Sequence, residues 1–303
     1  MVIVNYLFMC FIFGTTFLAI KIGVDSGLPP FFSAGFRFFI AGFLLFIIML
    51  WKKKTTIGIL LNKEFLFTGI GLTFGTFSTL YWAEQYVTSG VAAVLSAMGP
   101  IMILFMQSAI LRQKVNRLSF IGCFVGVIGV IFLLLPNLTV KTNSFWIYGC
   151  LAIVLGEVFY ALGTIYAKST ITKFQGTSPI ILNAAQMMYG GVLLIILSIA
   201  TERGHFDMNL TLASIGSLVY LVVFGSMIGH SLFYWLVAKT NPVFPSTWLF
   251  ISPIIALLVG IVFYGEHITS STVIGTFIII LGTILVNFHS ILDMKKSFMQ
   301  PAK

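Results

Sequence analysis

The stretch YWAEQYVTSGVAAVLSAMGP at 81–100 returns as YWLVAKTNPVFPSTWLFISP at 234–253. Tyr81-Trp82 lead to Pro100, and Tyr234-Trp235 lead to Pro253, at a common offset of 153. The same offset carries Gly122 onto Gly275 and Gly129 onto Gly282. Both copies lie in long apolar runs, so what repeats is a set of membrane helices. That pattern marks a transporter made of two related halves around a central path.

Composition agrees. Of 303 residues, 59% are hydrophobic and only 8% charged, and mean hydropathy is +1.07, which excludes a water-soluble fold. The 17 basic residues against 8 acids sit in short clusters between apolar runs, which fits cytoplasmic loops and not a nucleic-acid surface. Cys10, Cys123 and Cys150 have no metal-like spacing and read as small apolar residues. The first 24 residues lack a basic start and a small-residue cleavage site, so they read as a retained first span.

Runs long enough to cross about 30 Å of hydrocarbon fall near 4–24, 31–51, 65–87, 90–111, 118–136, 145–168, 179–199, 212–238, 243–264 and 271–291. The expected fold class is therefore an all-α membrane protein of ten transmembrane helices, arranged as two inverted five-helix repeats at 1–138 and 145–292, with a cytoplasmic tail at 293–303. Five spans per repeat is odd, so the copies must enter the membrane in opposite directions. One face carries Lys52, Lys53, Lys54, Lys63, Arg112, Lys114, Arg117, Lys168, Lys173, Lys239, Lys295, Lys296 and Lys303; the other carries Lys141 and Arg203. This bias places both termini in the cytoplasm. Short tails and the lack of organelle signals suit a bacterial cytoplasmic membrane.

Several stretches together resemble the drug/metabolite transporter superfamily, in particular its ten-helix EamA branch. They are FGTTFLAIK at 13–21, FRFFIAG at 36–42 with its basic residue, the Tyr-Trp to Pro arrangement, and Tyr264-Gly265-Glu266 at the end of span nine. The resemblance covers essentially the whole chain and implies a metabolite exporter of the cytoplasmic membrane, often for amino acids or related compounds. Family members often end the fourth span of the first repeat with a Gly-Glu pair; here those positions are Arg112-Gln113.

Charges inside the bilayer cost on the order of 3 kcal/mol or more, so each needs a reason. Glu157 lies roughly 18 Å into span six, near the midplane, and it is the candidate proton-coupling residue; the alternative is a hydrogen-bonded carboxyl that fixes packing. Aligning Lys21 with Lys168 sets Cys10 opposite Glu157, so this acid is outside the duplicated plan. Lys21, Arg37 and Glu84 fall in the outer leaflet, either as a gating cluster in which Lys21 or Arg37 holds a substrate carboxylate, or as a structural set with the cations snorkelling. Snorkelling accounts for Lys168.

Tyr81, Trp82, Tyr234 and Trp235 read as interfacial anchors or as two gates closing on either side of one cavity, which Tyr160 and Trp248 could also face. Pro100 and Pro253 predict one deformable helix in each half. Gly122, Gly126 and Gly129, echoed by Gly275 and Gly282, predict close helix packing between the halves or between protomers. His230 is a lesser proton-relay candidate, while His205 and His267 fall on outside loops and His289 near the cytoplasmic end.

No catalytic, metal or cofactor motif is present, so no enzyme, no cofactor and no metal are expected. The expected partners are a small-molecule substrate, the lipid bilayer and protons, with no nucleic acid, in a monomer or homodimer. The leading function is a secondary exporter working by alternating access. Uptake, or movement of a lipid or sugar phosphate, is the alternative on the same fold; an intramembrane enzyme or receptor is the alternative from another class.

Overall fold

The computed structural model describes residues 1–112, 116–135, 144–202, 211–255 and 270–299. Gln113, Lys114, Lys141, Arg203, His205, Tyr264-Gly265-Glu266, His267 and the last residues of the tail lie outside that set. Among the described residues all regular structure is helical, as expected where lipid cannot satisfy backbone N–H and C=O groups.

The helices are α1 (Val2–Asp25), α2 (Pro30–Trp51), α3 (Lys63–Gly69), α4 (Thr76–Ala83), α5 (Ser89–Ser96), α6 (Gly99–Leu111), α7 (Arg117–Leu134), α8 (Ser144–Lys173), α9 (Pro179–Thr201), α10 (Leu212–Tyr220), α11 (Ser231–Lys239) and α12 (Val243–Ser246). They are followed by α13 over residues 248–255 and by α14 (Ser270–Met299). Six apolar helical stretches of the described residues are long enough to cross a membrane: Val2–Asp25, Pro30–Trp51, Val91–Ile110, Ser144–Lys173, Pro179–Thr201 and Leu212–Lys239.

Two of the runs expected as spans are interrupted in the same way. A π-helical segment, Ile70–Gly75, joins α3 to α4, and another, Leu221–His230, joins α10 to α11. The first falls where α8 comes closest: a Cβ on Gly71 would stand 2.5 Å from the Gly163 Cα. Such widened turns are rare and gather at functional sites.

Pro100 marks a break within its span and not a bend in a continuous helix. α5 stops at Ser96 and α6 starts at Gly99, so Pro100 stands in the first turn of a new helix, where its missing N–H leaves no bond unmade. In the later copy the chain turns at Thr247, and Pro253 lies within α13.

Packing pairs elements of the first half of the chain with elements of the second. α2 lies along α9, and α7 along α14; α1 packs on α10, α11 and the π segment between them, while α8 packs on α3, α4 and the other π segment. The glycine stripes explain the α7–α14 pair, which joins the two halves of one chain. A Cβ on Gly282 would sit 2.5 Å from the Gly126 N and 2.8 Å from the Gly122 O, and one on Gly122 would sit 2.6 Å from the Val286 N. Backbone cannot yield as a flexible side chain does, so Gly282→Val is expected to cost about 2 kcal/mol or more. A Tm of the detergent-solubilised protein lower by several degrees checks it; an unchanged Tm would mean the helices are less tightly apposed.

The bundle's surface is apolar, with Phe8, Phe11, Ile47, Phe105, Phe124 and Ile196 each more than a third exposed, as a lipid-facing surface requires. At the basic end Lys173 of α8 pairs with Glu64 of α3. That ammonium group holds the Glu64 carboxyl below the usual carboxylate range.

Candidate functional site

Side chains from α1, α2, α4, α5, α8, α11, α13 and both π segments converge on one internal cavity. Its walls are rich in aromatic rings. The Phe13 and Trp248 rings lie 4.6 Å apart, Phe17 stands 6.1 Å from Trp248, and Tyr160 stands 5.9 Å from Phe233. The Trp248 indole N–H donates to the Tyr160 hydroxyl at 3.2 Å, which fixes one wall.

Among the described residues a basic and an acidic side chain, Arg37 and Glu157, face this cavity. Arg37 is 1% exposed. Its Nε donates to Ser226 Oγ at 2.8 Å and its Nη1 to the Tyr81 hydroxyl at 3.2 Å, while Phe38 and Phe77 lie 4.6 Å and 5.3 Å from its Cζ. Gly225, in the second π segment, leaves room for the guanidinium; a Cβ there would stand 2.8 Å from Nη2. The ion pairs found among the described residues are Lys21–Asp25 and Lys173–Glu64, so Arg37 is a buried cation held by neutral hydroxyls and ring faces. A desolvated charge of this kind calls for a counter-ion.

Glu157, also buried, enters from α8. Its Oε2 has no hydrogen-bond partner among the described residues and lies against the start of α6, since a Cβ on Gly99 would meet it at 2.5 Å. Ser96, at the end of α5, is its polar neighbour. The break between α5 and α6 therefore presents a helix N-terminus beside the acid, a favourable place for negative charge. His230 joins the cavity at the end of the second π segment, within 5.2–5.8 Å of the rings of Phe13, Phe38 and Phe77.

Of the residues singled out from sequence, Arg37, Glu157, Tyr160 and Trp248 are thus brought together. Tyr81 touches the site through Arg37. Tyr81 and Tyr234 are each 1% exposed, so neither anchors the bundle at an interface; the half-buried Trp82 and Trp235 are better placed for that. Trp82 borders a separate surface recess with Asp25, Gln85 and Glu202.

Lys21 is away from the cavity: its ammonium donates to the backbone carbonyl of Glu84 at 2.9 Å and pairs with Asp25 at 2.9 Å. Lys168 does the same in the other half, donating to the carbonyls of Val237 at 2.9 Å and Thr240 at 3.0 Å. Free carbonyls at a helix C-terminus attract cations, and this explains Lys168 better than snorkelling does. Among the described residues no ion pair joins Lys21 or Arg37 to the Glu84 carboxyl.

Sequence reasoning missed Ser96 and Ser226, single hydroxyls in apolar runs with nothing to mark them. It also missed a buried polar chain in which Thr73 donates to Gln186 Oε1 at 2.8 Å, Gln186 to Asn183 at 3.1 Å, and Asn183 to Ser231 at 3.3 Å. This chain runs from one π segment, across α9, to the end of the other. The signal for it was present: Asn183 and Gln186 are amides three residues apart in an otherwise apolar span.

The sequence profile of the EamA-like transporter family matches residues 1–135 and again 147–288. YedA of Escherichia coli K12, described as an uncharacterized inner membrane transporter, is 29% identical over 293 residues, covering 96% of this chain and 92% of that protein. An uncharacterized transporter of Archaeoglobus fulgidus is 30% identical over 277 residues, covering 90% and 94%. PagO of Salmonella typhimurium is 28% identical over 273 residues, covering 90% and 88%. A solved crystal structure shares the fold, with a TM-score of 0.75 at 15% identity over 94% of this chain and 96% of that one. The chain belongs to the EamA-like transporter family and is a multi-pass membrane transporter, not an enzyme.

Proposed function

We propose that this protein exports small carboxylate-bearing metabolites, amino acids or related compounds, from the cytoplasm by alternating access, coupled to protons. The observation that carries this reading is the cavity, rich in aromatic rings, faced by a buried Arg37 with no counter-ion among the described residues and by Glu157. A substrate carboxylate is the natural partner for a guanidinium held in two-donor geometry. The rings suit an apolar body, and Glu157 is the group placed to take and give a proton.

The ten-span arrangement as two inverted repeats, at 1–138 and 145–292 with both termini in the cytoplasm, is part of the same proposal. It is supported by the 153-residue offset, which carries Ile70–Gly75 onto positions inside Leu221–His230. Packing supports it too: α1 sits on the later interrupted helix, and α8 on the earlier one. Lys21 matches Lys168, and the carbonyls they cap, Glu84 and Val237, match at the offset of the aromatic pairs. Inverted halves around one site let each open the cavity to a different side.

The test is efflux of a panel of radiolabelled amino acids from preloaded proteoliposomes. Efflux of at least one member above protein-free vesicles is expected. Retention of the whole panel by active, correctly inserted protein would refute this substrate class.

A further inference from the structure

Glu84 is the least satisfied acid of the described bundle. It is 0% exposed, and neither carboxyl oxygen has a hydrogen-bond partner. Two of its charged neighbours, Lys21 and Asp25, are engaged with each other, and Lys21 reaches only its backbone carbonyl. Lys21 is the stronger of the two cations acting on the carboxyl, and Arg37 is the other. Tyr81, which accepts from Arg37 Nη1 at 3.2 Å, lies three residues before Glu84, so the two side chains leave the same face of the helix one turn apart. A cation and a carboxyl, neither ion-paired among the described residues, are thus both neighbours of one tyrosine, Arg37 through its hydroxyl and Glu84 one turn along its helix.

We propose that Glu84 is the alternative counter-ion of Arg37, taken up when the cavity is empty. This rests on the reading of Arg37 as the carboxylate-binding group. With substrate bound, Arg37 points into the cavity and is neutralised there. When substrate leaves, the guanidinium swings past Tyr81 by about one helical turn, roughly 5 Å, onto Glu84. A flexible arginine side chain spans that distance without backbone movement. The pairing spares the empty transporter an uncompensated buried charge while it returns to the loading face. Glu84 is then a positioning residue: it never touches substrate, and it governs only the empty half of the cycle.

The two modes of transport separate this role from a structural one. Exchange of internal for external substrate never needs the empty carrier to return, whereas net efflux does. With labelled phenylalanine, or whichever panel member the wild type moves, Glu84→Gln is expected to keep exchange within about twofold of wild type. Net efflux should slow by about tenfold or more, and Glu84→Asp should restore much of it. Equal loss in both modes, or loss in neither, would overturn the proposal.

A second measurement needs no substrate. In purified, substrate-free protein, Arg37→Gln and Glu84→Gln should each lower Tm by several degrees, and the double variant should lose clearly less than the sum. Additive losses would overturn the pairing. If the cycle shows coupling while wild type moves nothing in the panel, the pair stands and the assigned substrate class is what fails.

Discussion

Arg37→Gln is expected to abolish substrate recognition, weakening binding and slowing efflux by about 100-fold. The glutamine keeps some hydrogen-bonding capacity toward Ser226 and Tyr81 but removes the buried cation that the described residues place on the cavity wall. Losing one member of a desolvated, hydrogen-bonded charge pair costs about 3 kcal/mol, which is about 100-fold in affinity. Arg37→Lys keeps the charge but loses the planar fork that contacts Ser226, Tyr81 and a carboxylate at once, so it should fall between the two, at about tenfold. Scintillation-proximity binding on purified protein, beside efflux from proteoliposomes, checks both. Unchanged affinity in Arg37→Gln would place the carboxylate elsewhere.

Glu157→Gln should separate transport from its driving force. The amide has the same shape, so the fit against Gly99 and the start of α6 is preserved, but it cannot carry a proton. Efflux down the substrate's own gradient should persist within a few-fold, while the stimulation by an imposed pH gradient, inside alkaline against inside equal, should be lost. Efflux indifferent to both the gradient and the substitution would return Glu157 to a packing role and remove the proton from the mechanism.

The parts of this site legible in the sequence are those whose chemistry is out of place in lipid. Arg37 and Glu157 stand out because a charge in a span has few reasons to be there, and the Tyr-Trp to Pro repeat exposed the two halves because equivalent helices keep equivalent spacing. What stayed hidden depends on which neighbour each residue meets. Lys21 and Lys168 were recognisable as counterparts, but that both turn toward helix carbonyls follows from where α4 and α11 end. The two π segments contain no proline and no break in hydropathy; the first becomes visible only where Gly71 meets Gly163. Pro100 read as a kink because the sequence does not show that α5 has already stopped at Ser96. Ser226 became part of the site only once α2 lay beside the second π segment.

On the proposed mechanism the cavity between Arg37 and Glu157 holds substrate and opens in turn to each side of the membrane. Ser96 lines it and is 2% exposed. A Ser96→Cys protein with Cys10, Cys123 and Cys150 replaced reports on this through labelling with a membrane-impermeant thiol reagent from each side of oriented vesicles. Labelling from both sides, with substrate slowing each, is the predicted result. Labelling from one side only, or labelling that substrate leaves unchanged, would contradict it.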